Sequence, residues 1–217
     1  EVDNIEEIWQ LCMVNGYWRN GPVLNNAVSG IDQALWDIKG KLAGMPLYQL
    51  LGGKSRQGAA VYVHAEGRDT SEVEDNARRL IESGYRYIRI QMGGYGGQKI
   101  DHPKPENSPD GNYYDPQAYS RNTLKMIEHI RNRLGDQVEL IHDIHERLHP
   151  IDAVQFAKDV EQYKLFFLED AFAPEDIGWF KVIRQQTATP QAMGELFNNP
   201  QEWQGLITER LIDFIRM

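Results

Sequence analysis

Cysteine is almost missing from this 217-residue chain: Cys12 stands alone, so no intrachain disulfide can form. A reducing compartment, the cytoplasm, fits that usage. Positive charge is also short, with 23 Lys and Arg against 32 Asp and Glu and a formal net charge of -9. A nucleic-acid surface needs clustered Lys and Arg, so the balance argues against that class of partner. An anionic small molecule is not, because a metal or a few arginines can invert the local field. No segment approaches the roughly 18–20 consecutive apolar residues that a membrane helix needs. The opening EVDNIEEIWQLCMV is acidic and amphipathic and lacks the basic start and apolar core of a signal peptide. There is no initiator Met, and LITERLIDFIRM stops on an apolar, strand-like run. Both ends read as cut, as in a piece of a longer protein.

What is present is rhythm. Residues 3–14 read as a short helix, and 23–43 as the clearest one, with Val28, Ile31, Leu35, Ile38 and Leu42 at helical spacing. Pro22 stands near its start and Gly44 and Pro46 end it. From residue 59 strands and helices alternate. Strands are expected at 60–65, 85–91, 138–143, 165–170, 190–195 and 211–217. Helices are expected at 71–84, 116–135, 151–163, 175–187 and around 200–208. Between the second strand and the next helix lies a Gly- and Pro-rich loop, 92–115. Strict alternation implies βαβ units and a parallel sheet. Rhythm alone leaves both a doubly wound open sheet and a (β/α)₈ barrel possible.

The discriminating feature is where the acids fall. Asp143, Glu169 and Glu195 are expected at the carboxyl ends of the third, fourth and fifth strands, spaced 26 residues apart each time. Any one of them could be a helix cap or a solvated loop residue. Three in consecutive units, at the same height, would face one barrel mouth and repel each other without a cation. A hard ion with oxygen ligands, Mg²⁺, relieves that repulsion and leaves positions for substrate oxygens.

The runs HDIHERL (142–148), FFLEDAFAPED (166–176), AMGELFNNP (192–200) and LIDFIR (211–216), with NNAVSGIDQALWDIKGKLAGMPLYQLLGG (25–53), resemble the mannonate dehydratase subgroup of the enolase superfamily. That subgroup is mandelate racemase/muconate lactonizing enzyme-like and includes members called starvation-sensing proteins. The resemblance implies an α+β capping domain and a TIM-type (β/α) barrel. Residues 1–57 would be the last capping-domain helices and the linker, and 58–217 the first six β/α units. It implies a hydro-lyase that removes water from a hexonate such as D-mannonate through an enediolate, giving a 2-keto-3-deoxy sugar acid. It further implies Mg²⁺ held by Asp143, Glu169 and Glu195, a small acid-sugar substrate and a homo-oligomer.

Residue by residue, His145 matches the general acid that protonates the departing hydroxyl. Arg89 matches an arginine that favours the phenolate of a neighbouring tyrosine base. His64 and Arg216 match substrate-contacting residues. His142, one residue before a metal acid, should point to the opposite face and be structural. The family's tyrosine base stands twelve residues after the arginine, where this chain has Asp101. Tyr95, six residues after Arg89 within GGYGG, is either a relocated base or a lid aromatic, and Tyr113 and Tyr114 follow in the same loop. That departure keeps other readings open: D-gluconate dehydration, a racemase or epimerase, or a metal-binding regulatory homologue without turnover. The second strand carries Arg89-Ile90-Gln91 rather than paired lysines, which counts against the racemase.

Overall fold

Apolar positions with a period near 3.6 alternate along this chain with short β-branched and aromatic runs, and the observed elements follow that pattern. A computed structural model describes residues 3–97, 104–111 and 113–216. Helices α1 (Ile5–Asn15), α2 (Pro22–Leu42) and α3 (Leu47–Leu50) come first. Then follow β1 (Tyr62–Gly67), α4 (Thr70–Glu82), β2 (Tyr87–Met92), α5 (Pro116–Leu134), β3 (Glu139–Asp143), α6 (Pro150–Asp159), β4 (Phe167–Glu169), α7 (Trp179–Gln186), β5 (Gln191–Met193), α8 (Pro200–Thr208) and β6 (Phe214–Ile215). The chain divides into two units, one made of Glu1–Ala60 with Leu196–Trp203, the other of Val61–Glu195 with Gln204–Met217.

In the first unit α2 starts with Pro22 in its first turn, where a missing N–H costs nothing. Ile5 of α1 and Val28 and Leu35 of α2 are buried. The Asn25 amide donates to the Asn198 carbonyl at 3.0 Å, tying α2 to the 196–203 segment.

In the second unit the six strands form one sheet in the order β1-β2-β3-β4-β5-β6, every neighbouring pair parallel. A doubly wound sheet reverses its strand order at a switch point; this one never does. The winding is that of a (β/α) barrel of the TIM type. Ile88 and Ile90 of β2, Leu140 of β3 and Leu168 of β4 are fully buried, as are Val73 and Ala77 of α4, Met126, Ile127 and Ile130 of α5 and Phe180 and Ile183 of α7. The other strand face carries Ile141, Phe167 and Ala192, packed with Tyr62, Tyr87 and Phe166. Side-chain alternation puts Arg89 on the face of Tyr87, and Asp143 and Glu169 on the face of Ile141 and Phe167.

Local chemistry fixes the connections. Asp69 accepts from the Glu72 N–H at 2.9 Å and caps α4. Asp115 caps α5 in the same way through Ala118, with Pro116 next in line. Arg131 of α5 donates to the carbonyls of Tyr163 (2.8 Å), Gly135 (2.9 Å), Val138 (2.8 Å) and Lys164 (3.1 Å), clamping the loops that lead into β3 and β4.

Some expected elements are shorter. The strands expected at 165–170 and 190–195 keep their ladders only over Phe167–Glu169 and Gln191–Met193. The chain leaves the pleat at Asp170 (φ 45°) and Gly194 (φ 146°), so Glu195 lies two residues past its strand. The last strand narrows to Phe214–Ile215. His64 and Arg89 lie inside β1 and β2, paired with each other in register.

Candidate active site

Arg89 organises the carboxyl end of the sheet. Its side chain is 1% exposed. Nη1 lies 2.9 Å from Asp143 Oδ2 and 3.9 Å from Glu169 Oε2. Nη2 donates to the Tyr95 hydroxyl at 2.9 Å and meets His64 Nδ1 at 3.2 Å. A planar fork with fixed donor directions can serve these partners at once; a lysine could not. The His145 ring stacks on the Tyr95 ring with centroids 3.9 Å apart and planes 18° apart. Arg89, Asp143, His64, Tyr95 and His145 are thus brought together.

Tyr95 owes its position to the turn that carries it. Gly93 N–H donates to the Gly67 carbonyl at 2.8 Å, and Gln91 Nε2 reaches the Gly94 carbonyl at 3.3 Å. Gly96 has φ 66°, and a Cβ there would lie 2.8 Å from Arg147 Cγ and 3.1 Å from Tyr114. The turn is therefore docked on the 144–147 loop. Tyr114 donates its hydroxyl to the Arg147 carbonyl, and burial pushes its phenol up to about 12. Tyr113 is exposed. Asp101 lies outside the described residues.

Arg216 Nη1 makes ion pairs with Glu169 Oε1 at 2.8 Å and Glu195 Oε2 at 2.5 Å. It therefore sits among the acids. Gly194 makes this possible: a Cβ there would run into the backbone of Arg216, 2.8 Å from its nitrogen.

Of the acids expected to act together, Glu169 and Glu195 do converge. One carboxylate oxygen each from Glu169, Asp170 and Glu195 lie within 4.8 Å of one another. Asp143 is outside that group; its Oδ1 accepts the His145 N–H at 2.7 Å while Oδ2 faces Arg89. Burial, then Glu169, push the Asp143 carboxyl up to about 7, against the pull of Arg89. Burial, then Asp143 and the two glutamates, push Asp170 up to about 8. Buried acids resist ionising together unless positive charge is supplied. An all-oxygen donor set of this kind suits a hard cation.

His145 and His64 are both shifted down, chiefly by burial. His142 is fully buried and points away, bonded to the Ile90 carbonyl at 2.9 Å and the Tyr119 hydroxyl at 3.0 Å; burial takes it down to about 4. Two residues escaped the sequence reading. Asp170 follows Glu169 directly, and strand alternation would send it outward; only its positive φ turns it back. Tyr62, two residues before His64 on the same face, sets its hydroxyl 3.4 Å from both Glu169 oxygens.

Comparison with known proteins identifies the family. Residues 72–217 match the family described as enolase C-terminal domain-like, and residues 1–52 match the mandelate racemase / muconate lactonizing enzyme N-terminal domain. A D-galactonate dehydratase family member of Pantoea ananatis is 55% identical over 98% of this chain and 55% of its own length. A D-mannonate dehydratase of a Caulobacter species is 44% identical over 100% of this chain and 56% of its own. A crystal structure of an enolase from Pantoea ananatis with bound D-gluconate and Mg superposes with TM-score 0.93 at 54% identity, covering 100% of this chain and 56% of that one. The chain spans about 55% of the length of the curated relatives it matches. With the six-strand winding, the converging acids and both matched segments in agreement, the chain belongs to the enolase superfamily.

Proposed function

We propose that the protein of which this chain is part is a Mg²⁺-dependent acid-sugar dehydratase. The observation that carries the reading is the Arg89 fork: one buried guanidinium joins Asp143, His64 and Tyr95, beside a group of acids that suits a hard cation. Asp143, Glu169 and Glu195 would hold Mg²⁺, and a divalent ion beside them would favour their ionised forms. When bound, the ion would polarise the substrate carboxylate and stabilise the charge that develops on loss of the C2 proton.

The chain's own residues supply the rest. Tyr95 would take the C2 proton, a role supported by the Arg89 guanidinium that donates to its hydroxyl, where negative charge would gather. His145, stacked on Tyr95, would give a proton to the C3 hydroxyl, which leaves as water. The product enol then tautomerises to a 2-keto-3-deoxy acid, so the substrate loses one water and nothing else. Arg216 and His64 would contact the acid sugar's carboxylate and hydroxyls. In the same reading residues 1–57 belong to the capping domain and 58–217 to the barrel.

Among hexonates, D-mannonate and D-gluconate are the first to test. One relative is named for the former, and the other was crystallised with the latter. The full-length protein should be incubated with a panel of hexonic acids and Mg²⁺. A 2-keto-3-deoxy acid supports the dehydratase. C2 proton exchange without loss of water would make it a racemase or epimerase, and binding without product a regulatory homologue.

A further inference from the structure

Among the described residues nothing gives the Asp170 side chain a structural task. Its backbone N–H donates to the Ala192 carbonyl at 3.0 Å and its carbonyl accepts the Glu146 N–H at 2.9 Å, bonds that any residue could make. It caps no helix, since α7 begins at Trp179. Among the described residues its carboxylate takes part in no hydrogen bond or ion pair, although the residue is only 3% exposed. A buried, unpaired carboxylate is costly. So is a left-handed backbone at a residue other than glycine, and Asp170 has φ 45°. In a regular strand it would face away from Glu169. Here one of its oxygens lies within 4.8 Å of oxygens of both Glu169 and Glu195.

We propose that Asp170 is a fourth carboxylate of the cation centre, adding its charge and an oxygen acceptor to those of Asp143, Glu169 and Glu195. This rests on the cation site of the proposed function and extends it. Without Asp170 the two glutamates stand against Arg216, with Arg89 at 3.9 Å and the Tyr62 hydroxyl at 3.4 Å from Glu169. With it, the local charge tips towards holding a divalent ion beside that guanidinium. Residues around the ligands of a metal typically change its affinity about 10–100-fold.

The test is calorimetric titration of the full-length protein with MgCl₂ alone, alongside thermal unfolding in chelator. Asp170→Asn keeps the shape and tolerates a left-handed backbone; Asp170→Gly removes the side chain and relaxes the backbone. Both should melt near wild type in chelator yet bind Mg²⁺ about tenfold or more weakly. If either folded variant binds within twofold of wild type while Glu195→Gln loses binding, the assignment of Asp170 is overturned and the cation site stands. If wild type itself takes up no Mg²⁺, the cation site falls and Asp170 with it.

Discussion

Gly194 shows how narrow the tolerances at the mouth are. Its φ of 146° is closed to most L-residues, and the Arg216 backbone occupies the space a side chain would need. Gly194→Ala must push β6 away from β5 or move the strand end that carries Glu195. We expect a loss of about 1–3 kcal/mol in stability and weaker Mg²⁺ binding, read by denaturant titration and calorimetry on the full-length protein. Tyr95→Phe tests a different quality. It keeps the ring that stacks on His145 and removes only the oxygen that faces Arg89. C2 proton exchange should fall by about 10²–10⁴-fold with Mg²⁺ affinity unchanged; retained exchange would move the base elsewhere. Residue-level placement was legible wherever side chains obey strand alternation, as Asp143, Glu169 and Arg89 do. Asp170 was hidden because the sign of its φ is not written in any spacing. The clasp between Arg216 and the glutamates was hidden because it depends on how closely β6 approaches Gly194.

Helices α4 and α5 are joined by an ion network that the barrel needs but the chemistry does not. Glu74, 8% exposed, binds Arg78 at 2.7 Å, His129 at 2.7 Å and Arg133 at 3.2 Å. Arg78 first, then His129, hold its carboxyl down at about 2. A depressed folded-state value means that the stabilisation is complete above the unfolded value near 4.5 and fades as pH falls towards 2. Glu74→Gln should therefore cost about 1–3 kcal/mol at neutral pH. That gap to wild type should close across the same acid window in urea titrations. Arg131 is the stronger buttress, because four backbone carbonyls depend on it. Arg131→Met should cost about 2–4 kcal/mol, and equal midpoints in denaturant would show that water replaces it. Element identity was readable from periodicity throughout. Lengths were not, because ladders end where a backbone leaves the pleat, as at Asp170 and Gly194, and because helices fray into single turns such as Glu161–Tyr163 and Pro174–Asp176.

Across the whole chain, the acidic excess and the anionic substrate we propose are reconciled by placement. The net charge is -9, yet Arg89 and Arg216 stand among the acids, each tied to one that we propose for the cation centre. The rhythm of the sequence could not choose between an open sheet and a barrel; the unbroken order of strands does. That order sets Asp143 and Glu169 side by side in register, where mutual repulsion opposes folding. A cation that binds only the folded state repays part of this and stabilises by mass action, about 2.7 kcal/mol at one hundred times its dissociation constant. The full-length protein should therefore melt higher in Mg²⁺ than in chelator, by an amount that grows with the logarithm of Mg²⁺ concentration. Asp143→Asn and Glu195→Gln should each flatten that dependence. In chelator Asp143→Asn should lower the melting temperature, because it breaks the buried pair with Arg89, whereas Glu195→Gln, at a half-exposed pair, should barely change it. A melting temperature indifferent to Mg²⁺ in wild type would mean that the arginines alone balance these acids, and that the centre holds no ion.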